Sequence, residues 1–194
     1  MAKKNNVKVR GYVSTVMGCP YQGEITPAMV YDVSKQLLNM GCYEISLGDT
    51  IGIGTPQLTK EMISFFKKQD SEVGVNKIAA HFHDTYQRAI PNLVVALAEG
   101  IDVVDSSVAG IGGCPYAGGK ASGNVPTEDV IYMIKLLGLD TAANAEPIIE
   151  AGEYAAHIVC KDNLARVNKD DFKFENFSKN RKILEEALLP LKRS

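Results

Sequence analysis

The sequence predicts an α/β protein of four consecutive parallel strand–helix units followed by C-terminal helices. β-branched and aromatic runs alternate with amphipathic segments, and the predicted strands begin near residues 7, 42, 75 and 101. A repeat of about 26–35 residues is typical of parallel βα units, because each helix returns the chain to the start of the next strand. Polar residues lie at the carboxyl end of each predicted strand, at the sheet edge where parallel folds place their ligand sites.

The first unit begins with a strand at residues 7–14, a β-branched and aromatic run that is followed by Gly18 and Pro20. Thr26 and Pro27 predict the start of a helix, because threonine accepts hydrogen bonds from free amides and proline lacks an N–H that has no partner there. Gly41 is expected to end this helix. Its predicted apolar face carries Met29, Val30, Val33, Leu37 and Leu38.

The next units repeat this pattern. Residues 42–47 predict the second strand, and Thr55 and Pro56 predict the start of the second helix. Residues 75–83 predict the third strand, and residues 90–98 belong to the third helix. The apolar side of the second helix is expected to carry Leu58, Met62, Ile63 and Phe66.

The fourth unit has a strand at residues 101–108 and a glycine-rich loop at 110–124. Thr127 is expected to cap the fourth helix. The chain after residue 145 is helical, residues 161–181 are charged and irregular, and a last amphipathic helix covers about 178–191. The predicted core contacts in this part are Val130, Ile131, Met133, Ile134, Leu137, Ile148, Ile149, Tyr154 and Ile158.

Composition excludes several classes of protein. The 194 residues are 45% hydrophobic and 23% charged, with a net charge of −2, which gives no reason to expect nucleic acid or an anionic membrane as the partner. No apolar run reaches the ~20 residues that span a bilayer, and no export signal follows the basic first residues. Four widely spaced cysteines are expected to be free thiols in a reducing compartment.

His81 and His83 are candidate metal ligands at the end of the third strand. Residues i and i+2 of a strand point to the same side, so both imidazoles can reach one ion. Asp84 could orient one imidazole from behind. Two imidazoles with oxygen donors suit Mn²⁺, or Mg²⁺ with retained waters. The alternative is a pair of histidines that form hydrogen bonds within a polar loop.

Cys114 lies in a run of glycines after the fourth strand. Most cysteines are small buried hydrophobic residues, but this flexible setting favours a proton donor or nucleophile beside the metal. Cys19, in an earlier copy of the tetrapeptide Gly-Cys-Pro-Tyr, is interpreted as structural or peripheral. Asn124 and Asp49, taken alone, are typical of a turn and a loop or cap residue.

Taken together, residues 9–152 closely resemble the 3-hydroxy-3-methylglutaryl-CoA lyases, a family of the metal-dependent lyase and synthase group built on a TIM barrel. The HxHD element is common to the whole group, and the loop around Cys114 is specific to this family. The matching segments are 10–14, 18–21, 41–52, 81–86, 105–110, the Cys114 loop, 122–124 and 127–129.

The resemblance implies a divalent-metal-dependent enzyme that cleaves 3-hydroxy-3-methylglutaryl-CoA to acetyl-CoA and acetoacetate, in leucine degradation and ketone-body formation. It implies a soluble setting in a bacterial cytoplasm or the mitochondrial matrix. The implied metal ligands are His81, His83 and Asn124, the implied catalytic residues are Cys114 and Asp49, and the implied substrate-binding residues are Tyr12, Ser46 and Thr50.

Three features depart from the family pattern. Gln87 stands at a glycine position, and the Cys114 loop is one residue longer. No segment matches the family's first four βα units, which carry an Arg-Asp pair whose Asp is a further metal ligand. We therefore expect residues 1–160 to be the second half of a TIM (β/α)₈ barrel, which usually needs about 250 residues, with 161–194 as a charged segment and helix.

Two functions remain open at this point. One is a lyase that is incomplete as this chain and works as a homo-oligomer or with a complementing N-terminal half. The other is a catalytically dead acyl-CoA-binding or assembly module derived from the lyase. A related synthase that acts on a keto acid is disfavoured by the Cys114 loop.

Overall fold

The structure is a computed structural model that describes residues 2–69, 73–114 and 123–174. The chain divides into two compact units. The first comprises Met1–Asp105 with Cys114–Ser122, and the second comprises Ser106–Gly113 with Gly123–Ser194. The helix predicted at about 178–191 lies outside the described residues, and the predicted boundary between residues 160 and 161 stays a prediction.

The first unit contains a four-stranded parallel sheet. Its strands are β1 (Val9–Val13), β2 (Cys42–Asp49), β3 (Ile78–Phe82) and β4 (Val103–Asp105). They lie in the order β1-β2-β3-β4, and each strand pairs in parallel with its neighbour. This order confirms the prediction of consecutive parallel strand–helix units.

Three helices connect these strands: α1 (Pro27–Met40), α2 (Pro56–Lys68) and α3 (Ala89–Ala98). The predicted caps of α1 and α2 are confirmed, because the hydroxyls of Thr26 and Thr55 accept hydrogen bonds from amides of the first turn. Gly41 ends α1 with a φ of 104°, a left-handed conformation that glycine adopts without strain.

The core of the first unit lies between the sheet and its helices. Its buried side chains include Ile45, Leu47, Met62, Ile63, Phe66, Ile78, Phe82 and Leu93. The prediction was wrong for Met29, Val33 and Leu58, which are exposed. In α1 the buried positions are Val30, Tyr31 and Ser34, so the buried side of this helix is rotated away from the predicted stripe.

Strands β1, β3 and β4 are shorter than predicted. A turn of 3₁₀ helix occupies Val75–Lys77, and β3 begins only at Ile78, so His83 stands one residue beyond the strand. Strand β4 ends at Asp105. Ser107, which was predicted to belong to it, forms an isolated bridge with Pro126 in the second unit instead.

The second unit contains the helices α4 (Thr127–Leu136), α5 (Ala145–Ile158) and α6 (Asp171–Phe174). The prediction that Thr127 caps α4 was wrong: Pro126 is the cap, and the Thr127 hydroxyl lies 2.9 Å from the Ser106 hydroxyl. The main buried side chains are Val130, Ile131, Met133, Ile149 and Ala156.

Tyr154 and Ile158 were predicted to lie in the core of the second unit, and this prediction was wrong. Their side chains are 69% and 60% exposed. Helix α5 buries Ala145, Ile149, Gly152 and Ala156 instead, a stripe of mostly small residues. Within the described parts of both units, no helix is long and apolar enough to span a membrane.

Candidate active site

One face of the sheet in the first unit is strongly polar. Because successive side chains of a strand alternate between faces, residues two apart share a face. The polar side chains on this face are Arg10 and Tyr12 from β1, Glu44 and Ser46 from β2, His81 from β3, His83 just beyond it, and Asp105 from β4. They form the candidate site of this unit.

The two predicted metal ligands lie side by side on this face. The ring centroids of His81 and His83 are 5.3 Å apart, and His83 is only 5% exposed. The Nδ1 atom of each ring is buried and has no hydrogen-bond partner. Burial lowers the pKa of both imidazoles below the ordinary value of 6.5, which favours their neutral form.

This chemistry fits a divalent metal in part. Neutral imidazoles carry the lone pair that a metal ligand needs, and an orphaned buried nitrogen marks a site that lacks a partner. Within residues 2–69, 73–114 and 123–174, no group of three or more His, Cys, Asp or Glu side chains could hold a metal ion. Within this part of the chain, further metal donors would be of other kinds, such as amide oxygens or waters.

Arg10 contacts three other polar side chains of the candidate site, and sequence analysis did not predict this role. Its Nη1 donates to Asp105 Oδ2 at 2.7 Å and to the Tyr12 hydroxyl at 2.8 Å, and its Nε donates to Glu44 Oε2 at 2.5 Å. These contacts, above all the one with Asp105, raise the pKa of Arg10 against the effect of burial. The polar face is thus held together by one guanidinium.

The three predicted substrate-binding residues each make a polar contact within the protein. The Ser46 hydroxyl donates to Asp105 Oδ2 at 2.7 Å. Tyr12 accepts from Arg10, and its ring, which is 59% exposed, meets the His81 ring edge-on. The Thr50 hydroxyl accepts from the Thr15 amide at 2.8 Å. Of the three, Tyr12 presents the most surface to a ligand.

Asp49, a predicted catalytic residue, lies buried at the end of β2. Its Oδ2 accepts from the Gly54 amide at 2.8 Å, and its Oδ1 accepts from the Ile53 amide at 3.2 Å. Burial raises the pKa of Asp49 to about 6, and the loop amides partly offset this effect. The carboxyl group therefore organises the loop after β2 and titrates close to neutral pH.

Asp84 and Gln87 determine the backbone conformation of the segment between His83 and α3. Asp84 Oδ1 accepts from the Ala89 amide at 3.0 Å and so holds the start of α3. Gln87, which stands where the resemblance implies glycine, adopts a φ of 56°. A residue with a Cβ atom is strained in this left-handed region by about 1–2 kcal/mol.

Asn124 and Cys114 lie in different units. In the second unit, Asn124 Nδ2 donates to the Ile111 carbonyl at 3.1 Å, so its amide closes the base of the glycine-rich loop. Cys114 is half-buried and a free thiol. The loop residues 115–122 lie outside the described residues, and the proposed joint role of these side chains with the histidines stays a prediction.

Glu128 is a buried acid that sequence analysis also missed. It is 1% exposed on α4, and its Oε1 and Oε2 accept from the Ala109 amide at 2.9 and 3.0 Å. Ala109 has a φ of 54°, so the carboxylate stabilises a left-handed turn five residues before Cys114. Burial is the main cause of a raised pKa for Glu128.

This raised pKa predicts a pH-dependent stability. The pKa of folded Glu128 lies above its unfolded value of 4.5, so the folded state binds more protons in that range. The resulting stability is complete below pH 4.5 and is lost as the pH rises through the raised pKa. Urea unfolding of the wild type and Glu128→Gln, from about pH 4 to 8, should show the variant losing less stability. Glu153→Gln, an exposed control, should follow the wild type, and parallel curves for all three would contradict the prediction.

Comparisons with known proteins agree with the resemblance. The family model described as HMGL-like matches residues 2–154. The mitochondrial hydroxymethylglutaryl-CoA lyase of Mus musculus is 51% identical over 166 residues, which cover 86% of this chain and 50% of the relative. The cytoplasmic 3-hydroxy-3-methylglutaryl-CoA lyase of Homo sapiens is 52% identical over 171 residues, which cover 88% and 45%.

A solved structure is similar as well. The crystal structure of hydroxymethylglutaryl-CoA lyase from Pseudomonas aeruginosa matches with a TM-score of 0.79 at 43% identity, over 96% of this chain and 56% of that one. The chain thus spans about half the length of the curated relatives it matches. The parallel sheet, the histidine pair and these similarities lead to one conclusion: this chain belongs to the HMGL-like family.

Proposed function

We propose that this chain carries part of the active site of a divalent-metal-dependent carbon–carbon lyase. The reaction is the cleavage of 3-hydroxy-3-methylglutaryl-CoA to acetyl-CoA and acetoacetate, as used in leucine degradation and ketone-body formation. The observation that supports it most is the pair of neutral histidines, His81 and His83, whose buried Nδ1 atoms lack hydrogen-bond partners. Membership of a family whose relatives are named as lyases for this substrate gives the substrate class.

The two histidines would hold the cation, Mg²⁺ or Mn²⁺. When bound, such an ion acts as a Lewis acid that polarises substrate oxygens and makes a hydroxyl easier to deprotonate. Asn124 joins the proposal as a third ligand through the family resemblance. Its Nδ2 is used by Ile111, and an amide oxygen is a donor that both cations accept.

Proton transfers are assigned to side chains of this chain. The tertiary hydroxyl would give its proton to the Asp49 carboxylate, the adjacent carbon–carbon bond would break, and the products would be acetoacetate and the enolate of acetyl-CoA. Cys114 would give its thiol proton to that enolate, for which it must be a thiol and not a thiolate. Asp49 is the proposed second catalytic residue, because its pKa of about 6 suits proton transfer near neutral pH.

Tyr12, Ser46 and Thr50 are the proposed substrate-binding residues. The exposed Tyr12 ring beside His81 offers an apolar and a polar edge to an acyl group. Ser46 lies within β2, and Thr50 follows β2 at the carboxyl edge of the sheet. Parallel folds bind their ligands at this edge.

We also propose that the four strand–helix units are the second half of an eight-unit barrel. Relatives about twice as long and an open four-stranded sheet support this arrangement. Catalysis would then require the other half, supplied by a second copy in a homo-oligomer or by a complementing N-terminal half. A bacterial cytoplasm or the mitochondrial matrix is the proposed setting, since the relatives are named as mitochondrial or cytoplasmic.

The competing function is a catalytically dead acyl-CoA-binding or assembly module. Gln87 favours it, because a strained residue four positions after a metal ligand weakens the argument for an intact site. Binding without turnover would distinguish this function from the lyase.

The test is acetoacetate release from 3-hydroxy-3-methylglutaryl-CoA with Mn²⁺ or Mg²⁺. We expect turnover that His83→Ala and Cys114→Ala each lower by at least about 100-fold, because each removes a group that acts on the reacting atoms. His157→Ala and Cys160→Ala are matched controls, since both residues are exposed and lie far along the chain from the candidate site. They should leave turnover unchanged.

Two outcomes contradict the proposal. Folded wild-type protein without turnover above the two active-site variants, alone and with a complementing N-terminal half, excludes the lyase activity. If coenzyme A esters still bind in that case, the binding module is the better description. Equal losses in active-site and control variants would mean that the measured turnover does not come from this site.

A further inference from the structure

Asp105 is held at a defined position beside His81. The two residues are direct partners in the register of β3 and β4. Asp105 Oδ2 accepts from Arg10 Nη1 on β1 and from the Ser46 hydroxyl on β2, both at 2.7 Å. The same oxygen lies 3.9 Å from His81 Nδ1. One carboxylate oxygen is therefore fixed by two donors and faces the imidazole.

The position of this oxygen decides between two forms of the His81 ring. A neutral imidazole carries its proton on Nδ1 or on Nε2, and the other nitrogen has a lone pair. With the lone pair on Nδ1, two negative ends would face each other in a buried setting, and Nδ1 would remain without a partner. With the proton on Nδ1, an N–H dipole points at the carboxylate. Asp105 thus favours the Nδ1–H form.

His83 provides the contrast within the same site. Its Nδ1 is also buried without a hydrogen-bond partner. Among the described residues, no carboxylate oxygen is found within 4.0 Å of a His83 ring nitrogen, whereas Asp105 Oδ2 lies 3.9 Å from His81 Nδ1. The electrostatic bias should therefore act on His81 and not on its neighbour.

We propose that Asp105, held by Arg10 and Ser46, is a positioning residue that fixes His81 as the Nδ1–H tautomer and presents Nε2 as the metal-binding nitrogen. The sequence suggested Asp84 for this role, but the Asp84 carboxylate accepts a hydrogen bond from the Ala89 amide at the start of α3. Carboxylates behind metal-bound histidines commonly fix the ring in this way. The metal part of the inference rests on the proposed function, and the tautomer does not.

The tautomer can be read directly in metal-free protein. The full chain labelled with ¹⁵N-histidine has only three histidines, so the His81 signals are assigned with a His81→Gln variant. Two-bond ¹⁵N–¹H spectra, recorded above the ordinary histidine pKa of about 6.5, show which nitrogen carries the proton. We expect Nδ1–H for His81 in the wild type and a shift towards Nε2–H in Asp105→Ala. His83 should not change.

Asp102→Ala is the matched control, because Asp102 is an exposed carboxylate on the loop before the same strand. It should leave the His81 spectrum as in the wild type. A second readout is Mn²⁺ titration, in which Asp105→Ala should raise the dissociation constant by about 10-fold or more. Asp102→Ala should not change it.

Each of the following results would overturn either this inference or the proposed function. An Nε2–H ring in the wild type overturns the inference even if Asp105→Ala fails to fold. A folded Asp105→Ala with an unchanged His81 tautomer or unchanged Mn²⁺ affinity overturns it as well. Absent lyase turnover with the expected tautomer and affinity overturns the proposed function but leaves the positioning role in place.

Discussion

Replacement of Gly152 by alanine is expected to destabilise the second unit by about 2–4 kcal/mol. A Cβ atom at this position would lie 1.9 Å from Glu128 Oε1 and 3.3 Å from the Ala109 amide nitrogen. The carboxylate cannot move aside freely, because both of its oxygens accept from that amide. The clash would break the buried hydrogen bond between the Ala109 amide and Glu128. The higher helix propensity of alanine would stabilise the helix by only about 1 kcal/mol.

Urea unfolding followed by circular dichroism measures this effect. The control is a double-mutant cycle with Glu128→Ala, which removes the side chain that the new methyl group meets. We expect Gly152→Ala to cost at least about 1 kcal/mol less in the Glu128→Ala background, since contacting residues are not additive. Equal costs in both backgrounds would show that the contact between α4 and α5 is not the cause.

Replacement of Arg10 by methionine is expected to destabilise the first unit by about 3 kcal/mol. Glu44 and Asp105 would lose the guanidinium that compensates them, while their side chains stay 14% and 20% exposed. Methionine keeps the apolar length of the side chain, so the loss reports mainly on charge and hydrogen bonds. Removal of one partner of a buried ion pair is costly because the remaining charge stays desolvated.

Two variants make this test specific. Arg10→Lys keeps the charge but cannot reach two carboxylates with one planar fork, so we expect a loss between the wild type and Arg10→Met. Arg88→Met removes an exposed arginine and should change the free energy of unfolding by no more than about 0.5 kcal/mol. An Arg10→Met loss as small as that of Arg88→Met would mean that the network adds little to stability.

Local signals explain how much of the fold could be predicted. Thr26 and Thr55, each followed by proline, marked the starts of α1 and α2 correctly, because capping depends on residues next to each other in sequence. The same local signal gave a wrong prediction at Thr127. A threonine also occurs as the first helical residue, and there its hydroxyl serves Ser106.

Burial was harder to predict than secondary structure. Helical spacing identified apolar stripes on α1 and α5, but it could not say which side of a stripe packs. In α5 the buried positions include Gly152 and Ala156, where close approach leaves no room for large side chains, and Tyr154 and Ile158 lie outside. Small residues carry a weak signal in a hydrophobicity pattern, although they mark the tightest contacts.

The candidate site shows the same limit. The histidine pair could be predicted because a spacing of two on a strand fixes a shared face. The contacts of Asp105 could not, since its partner Arg10 lies 95 residues away in sequence. Asp84 was the nearest acid in sequence to His83, and proximity along the chain was mistaken for proximity in space.

The ion pair between Arg10 and Asp105 has a consequence for the order of folding. It joins the first strand of the sheet to the last, and both middle strands must already be aligned before the two charges can meet. The pairing of these strands must therefore already have offset the entropy of closing so long a loop. We expect the pair to form late, and an interaction that forms after the main barrier to folding slows unfolding more than it speeds folding. In this sheet, the contact between Arg10 and Asp105 is expected to form last and to break first.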